Sequence, residues 1–174
     1  IRAALPTIVY LAKRGAIVIL MSHLGRPNGK VVDSARLRPV AERLSRLLGV
    51  SVPCTGDALG IGTQDALARL KPGQVILLEN LRFHAEEEAD DPAYAKQLAA
   101  YADVYVNDAF GTAHRAHAST VGVAKLLPAY AGLLMEKEIA NLSNLVEVPA
   151  HPFGAVIGGA KVSDKLGVVN HLID

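Results

Sequence analysis

Three arginines follow three apolar segments at short range, and histidines stand beside them. After Ala16–Met21 comes Ser22-His23-Leu24-Gly25-Arg26-Pro27. After Val75–Leu78 comes Glu79-Asn80-Leu81-Arg82-Phe83-His84. After Val104–Val106 comes Asn107-Asp108-Ala109-Phe110-Gly111-Thr112-Ala113-His114-Arg115-Ala116-His117. A guanidinium presents a planar fork of donors that fits phosphate or carboxylate oxygens. If the three apolar segments are parallel strands, Arg26, Arg82 and Arg115 arrive on one sheet edge, with His23, His114 and His117 near them. Two readings stand: a shared anion site, or three surface arginines each paired with a nearby acid.

A fourth loop, Gly158-Gly159-Ala160-Lys161-Val162-Ser163-Asp164-Lys165, pairs glycines with lysines at the start of a helical pattern. Such a loop suits a phosphate or a migrating phosphoryl group, but it also describes an ordinary strand-to-helix turn. It lacks the Gly-Lys-Ser or Gly-Lys-Thr ending of a Walker loop, and Gly56, Gly60 and Gly62 do not form a dinucleotide fingerprint. His114 and His117 are three apart, yet no Cys or carboxylate set accompanies them, so no metal site is expected. His23 offers a general base without a paired Ser or Cys nucleophile. Asp108 offers either a catalytic carboxylate or an organiser of backbone amides. The lack of an acid–base dyad is informative. Phosphoryl transfer between ionised oxygens needs cations, positioning and exclusion of water, not proton abstraction.

The elements that must position these residues follow from periodicity. Ile1, Leu5, Ile8 and Leu11 recur at helical spacing up to Gly15, and Pro6 suggests a helix starting just before Ile1. Helices are expected over Leu37–Leu48, ending at Leu70, over Pro92–Ala102, Thr120–Leu127, Leu133–Val148 and Ser163–Ile173. Strands are expected at Ala16–Met21, Val50–Val52, Val75–Leu78, Val104–Val106 and Phe153–Ile157. Alternation of the two predicts an α/β fold, a parallel sheet with helices on both faces in three Rossmann-like layers. The acidic run Glu86-Glu87-Glu88 reads as a solvated helix start.

Composition narrows the function classes. The 174 residues carry 18 Lys plus Arg against 17 Asp plus Glu, so no global basic field invites nucleic acid. Half the residues are hydrophobic, which excludes a disordered chain. No apolar run approaches about 20 residues, so no membrane-spanning helix is expected, and no signal-peptide pattern opens the sequence. The lone Cys54 reads as an inert packed thiol and fits a reducing, cytoplasmic setting.

Taken together in order and spacing, Ser22–Pro27, Leu78–His84, Val104–His117 and Gly158–Lys165 resemble the successive motifs of the phosphoglycerate kinase family. The similarity covers essentially the whole chain. It implies reversible transfer of the acyl phosphate of 1,3-bisphosphoglycerate to ADP, giving 3-phosphoglycerate and ATP in glycolysis, with Mg2+ accompanying the nucleotide. It implies that His23, Leu24, Gly25, Arg26, Arg82 and Arg115 bind the triose acid, with His114 and His117 at its margin. Gly158, Gly159 and Lys165 would meet nucleotide phosphates, and Lys161, with Arg115, would stabilise the transferring group. It implies three regions: residues 1–130, an incomplete phosphoglycerate-binding domain; 131–150, an interdomain helix and linker; and 151–174, the first strand–helix unit of a nucleotide domain. Both ends read as cut. A sheet lacking the family's opening strand is expected to split, and the piece by itself to be inactive, its parent protein a monomer. The competing reading is a non-catalytic binding module for phosphorylated carboxylates.

Overall fold

The structure is a computed structural model that describes residues 1–147, 151–154, 156–158 and 166–173. It divides into two compact units, Ile1–Glu136 and Lys137–Asp174.

The first unit opens with a 3-10 turn over Arg2–Ala4, then α1 (Leu5–Lys13) and β1 (Val18–Leu20). The helix therefore begins at Leu5, not before Ile1. Pro6 sits in its first turn, where no N–H is needed. Next come α2 (Arg38–Leu48), α3 (Ile61–Ala68), β2 (Val75–Leu77), α4 (Ala85–Glu88), α5 (Pro92–Ala99), β3 (Tyr105–Asn107), β4 (Ala129–Ala131) and the start of α6 (Leu133–Glu147). Gly49 closes α2 with φ 71°, the left-handed conformation that a side chain would strain.

Two parallel pairs form: β1 with β2, in the register Val18–Val75 to Leu20–Leu77, and β3 with β4. They are separate two-stranded sheets among the described residues. β1 and β2 are covered on both faces, as continuous apolar runs demand. Alternation along the strands deals Val18, Leu20, Val75 and Leu77 to one core cluster with Ile8 of α1 and Leu37, Ala41 and Leu44 beside and within α2. It deals Ile19, Met21 and Leu78 to another with Tyr94, Ala95, Leu98 and Ala99 of α5.

Three local expectations are corrected. Val50–Val52 forms no ladder. The chain reaches β2 only at Cys54, through Leu77 N–H to Pro53 O and Thr55 N–H to Leu77 O, a contact too short to be a strand. Burial there pushes the Cys54 thiol up to about 11, Glu79 adding to the shift. The helix expected over Thr120–Leu127 starts earlier, as a π-helical turn over Ala118–Gly122 that runs on into Val123 and Ala124, and β4, unanticipated, follows Pro128. The run Glu86–Glu88 does start a helix, but Glu87 is only 2 % exposed and hydrogen-bonded, not solvated.

In the second unit, the described residues of Phe153–Ile157 pair with no strand, and Val156 is fully exposed. An extended segment without a hydrogen-bonding neighbour is not a strand. The final helix, α7, is Leu166–Ile173. Gly158 is exposed; Gly159, Lys161 and Lys165 lie outside the described residues.

Candidate anion-binding site

The loops after β1 and β2 are stitched together by backbone-directed side chains. Leu81 N–H donates to Ser22 O (3.2 Å), and Gly29 N–H donates to Arg82 O (3.2 Å). Asn80, fully buried, donates from Nδ2 to the carbonyls of Leu24 (2.8 Å) and Ala35 (2.9 Å), and its Oδ1 accepts from Arg82 N–H (3.1 Å). Glu79, also buried, accepts from the N–H groups of Leu37 and Asn80, each at 2.8 Å, and pairs with Arg36 at 3.2 Å. Polar side chains that follow a doubly covered strand are themselves buried, and must then be bonded. That rule was the available signal for Glu79 and Asn80, which sequence reasoning passed over.

Arg82 is buried, and its Nη1 donates to the carbonyl of Gly25 (3.1 Å). Its Nε lies 3.4 Å from Glu88 Oε1, while neither Nε nor Nη2 has a hydrogen-bond acceptor. After β3, Asn107 Oδ1 accepts from Ala109 N–H (3.0 Å) and turns the chain. Thr120 then fixes the stretch around Arg115 and His117: its Oγ1 accepts from His117 N–H (3.1 Å) and donates to Arg115 O (2.9 Å). His117 Nδ1 lies 3.8 Å from Glu87, whose two oxygens accept from Ser119 N–H (3.0 Å) and Oγ–H (2.5 Å). Burial pushes the Glu87 carboxyl up, against the Ser119 hydrogen bonds and the nearby His117 and Arg82.

His23 joins the three loops. Burial pushes its imidazole below its ordinary range, and Arg82, His117 and Arg115 push the same way; Glu88 opposes them. Arg82, His117 and Arg115, on the loops after β2 and β3, thus lie near enough to His23, on the loop after β1, for their charges to act on it. Arg26, Leu24, Gly25 and His114 are exposed, and neither Arg26 nor His114 is among the charges acting on His23. Asp108 is an organiser, and of a different element than its own loop. Its Oδ1 accepts from Leu134 N–H (2.9 Å) and Met135 N–H (3.3 Å) at the first turn of α6. Thr7 Oγ1 accepts from Leu133 N–H there too (3.0 Å).

Among the described residues, no three His, Cys, Asp or Glu side chains gather as a metal would require, and no helix is long and apolar enough to cross a membrane. Chemically, a buried guanidinium with two donors unbonded, near other cationic or hydrogen-donating side chains, suits a multiply charged anion. The class is thus a parallel α/β protein with arginines and histidines on the loops that follow its strands. The sequence profile of the phosphoglycerate kinase family matches residues 1–174, and the chain belongs to that family. It is 62% identical over 173 residues to phosphoglycerate kinase of Moorella thermoacetica, covering 99% of this chain and 44% of that protein. Against the enzyme of Synechococcus elongatus the identity is 59% over 175 residues, again covering 44% of the relative. The crystal structure of phosphoglycerate kinase from Pyrococcus horikoshii superposes with a TM-score of 0.88 at 40% identity, over 99% of this chain and 44% of that one. The chain spans less than half the length of the relatives it matches. Each of these relatives bears the kinase name, and nothing favours the reading as a non-catalytic module.

Proposed function

We propose that this chain carries the phosphoglycerate site of an enzyme that moves a phosphoryl group reversibly between 1,3-bisphosphoglycerate and ADP. The observation that carries the reading is the gathering of Arg82, Arg115, His117 and His23 at three strand ends. The substrate brings a phosphate and a carboxylate or acyl phosphate, and the cluster supplies guanidinium forks for them. Burial first, and then the charges of Arg82, His117 and Arg115, push the His23 imidazole below its ordinary range, and a bound anion would offset those charges. Supported by the family resemblance alone, Gly158, Gly159 and Lys165 would meet the nucleotide phosphates and Lys161 the transferring group. Residues 131–150 would link the phosphoglycerate domain to a nucleotide domain beginning near residue 151. Mg2+ would neutralise the nucleotide's phosphates.

The test is calorimetric or NMR titration of the chain with 3-phosphoglycerate. Arg115→Ala should weaken binding by about 10- to 150-fold, the loss of one charge-assisted bond worth roughly 1.5–3 kcal/mol. Arg115 is the better probe, since Arg82 also supports the Gly25 carbonyl. Unchanged affinity in a folded Arg115→Ala protein removes this arginine from the site and the reading with it.

A further inference from the structure

Arg82 presents a buried donor edge that makes no hydrogen bond, and an acid stands close to it. Nη1 is committed to the Gly25 carbonyl, leaving Nε and Nη2, the parallel pair of donors that fits two oxygens of a carboxylate or phosphate. Both are buried and neither makes a hydrogen bond. The acid nearest to them is Glu88, 3.4 Å from Nε. That carboxylate sits at the last residue of the four-residue α4 and is about one-third exposed, so its side chain has room to swing away. Its neighbour Glu87 points elsewhere, to Ser119, and Glu88 is the one acid opposing the cations around His23.

We propose that Glu88 is the resident counter-anion of Arg82, and that an incoming anion binds by displacing it. The inference rests on the reading of this cluster as the phosphoglycerate site. The 3.4 Å separation without a hydrogen bond makes Glu88 a holder of the charge that is cheap to displace. It keeps the buried guanidinium from standing without any counter-charge, and it lowers the affinity of every competing anion. The cost is the same for each anion that takes Arg82, so a ligand with a second charged group keeps a useful affinity where a single-group anion does not. Removing its charge should tighten anion binding, the opposite of what removing a binding residue does.

The experiment titrates the wild-type chain, Glu88→Gln, Glu88→Asp and Glu86→Gln with inorganic phosphate and separately with 3-phosphoglycerate, followed by NMR. Glu86 is an exposed acid of the same helix turn, so Glu86→Gln controls for net charge. Glu88→Gln should bind both anions about 3- to 10-fold more tightly, the scale of one partly exposed ion pair. The two gains should be similar, since each anion displaces the same carboxylate. Glu88→Asp, which withdraws the carboxylate by one methylene, should move the same way by less and serves if Glu88→Gln does not fold. Glu86→Gln should change affinity by less than about twofold. Tighter phosphate binding by Glu88→Gln with no phosphoglycerate binding by any variant supports the displacement and overturns the phosphoglycerate reading. Unchanged or weaker binding of phosphate in Glu88→Gln, no binding of either anion to it, or an equal gain in Glu86→Gln overturns the proposal.

Discussion

Truncating Asp108 should loosen the start of α6 and lower stability by an amount the structure lets one work out. Its Oδ1 accepts from Leu134 N–H at 2.9 Å and, more weakly, from Met135 N–H at 3.3 Å. These are two of the N–H groups that a helix start leaves without intrahelical partners. Loss of such a cap costs about 0.5–2 kcal/mol, and an anion at the positive end of the helix adds roughly 0.3–1 kcal/mol. Asp108→Ala should therefore destabilise by about 2 kcal/mol, whereas Asp108→Asn, which keeps an acceptor, should lose only about 0.5–1 kcal/mol. At a urea m-value of roughly 2 kcal/mol per molar, the first change lowers the midpoint by about 1 M.

A second substitution makes the argument stricter. A Cβ at Gly132 would fall on the Asp108 carboxylate, which the two amides hold in place. Gly132→Ala should break the cap in the native protein and cost about 1–2 kcal/mol, and should cost less once Asp108 is already Ala, where the cap is gone and only the Asp108 Cβ, 2.7 Å from the added methyl, still crowds it. Urea unfolding of the two single variants and the double variant, followed by circular dichroism, forms the cycle. Additive losses, or an Asp108→Ala midpoint equal to the parent's, would refute the capping role.

Two further outcomes are expected. Glu87→Ala leaves Ser119 N–H and Oγ–H without their acceptor and should destabilise by about 2–3 kcal/mol; Glu87→Gln keeps an acceptor without a buried charge and should lose at least about 1 kcal/mol less by the same unfolding measurement. His23 has a folded pKa below its unfolded value, so the unfolded chain binds more protons just under pH 6.5. The stability contributed by neutral His23 is present above that pH and is lost as pH falls through the folded pKa. Bound sulfate should raise that pKa and so tighten as pH falls, read from the imidazole NMR titration; a sulfate-independent His23 titration would separate it from the anion cluster.

The sequence by itself determined what depends on near neighbours. Continuous apolar runs mark β1, β2 and β3, helical spacing marks α2 and α5, and Gly49 marks an end, because burial period and backbone conformation are local properties. That Arg82 and Arg115 each follow a strand is legible too, and parallel strands send the loops after them to the same end. The motifs in order were enough to reveal the family resemblance. What only the tertiary structure decided is which groups meet. β4, Ala129–Ala131, is too short and mixed to announce itself, and exists because β3 supplies its hydrogen bonds. Val50–Val52 has strand-like residues but reaches β2 only at Cys54. The acidic run shows the same limit: three consecutive glutamates look alike in sequence, yet Glu86 faces solvent, Glu87 is buried against Ser119 and Glu88 sits against Arg82. A side chain's charge is written in the chain; whether it is solvated, paired or displaced depends on segments far along the sequence that fold against it.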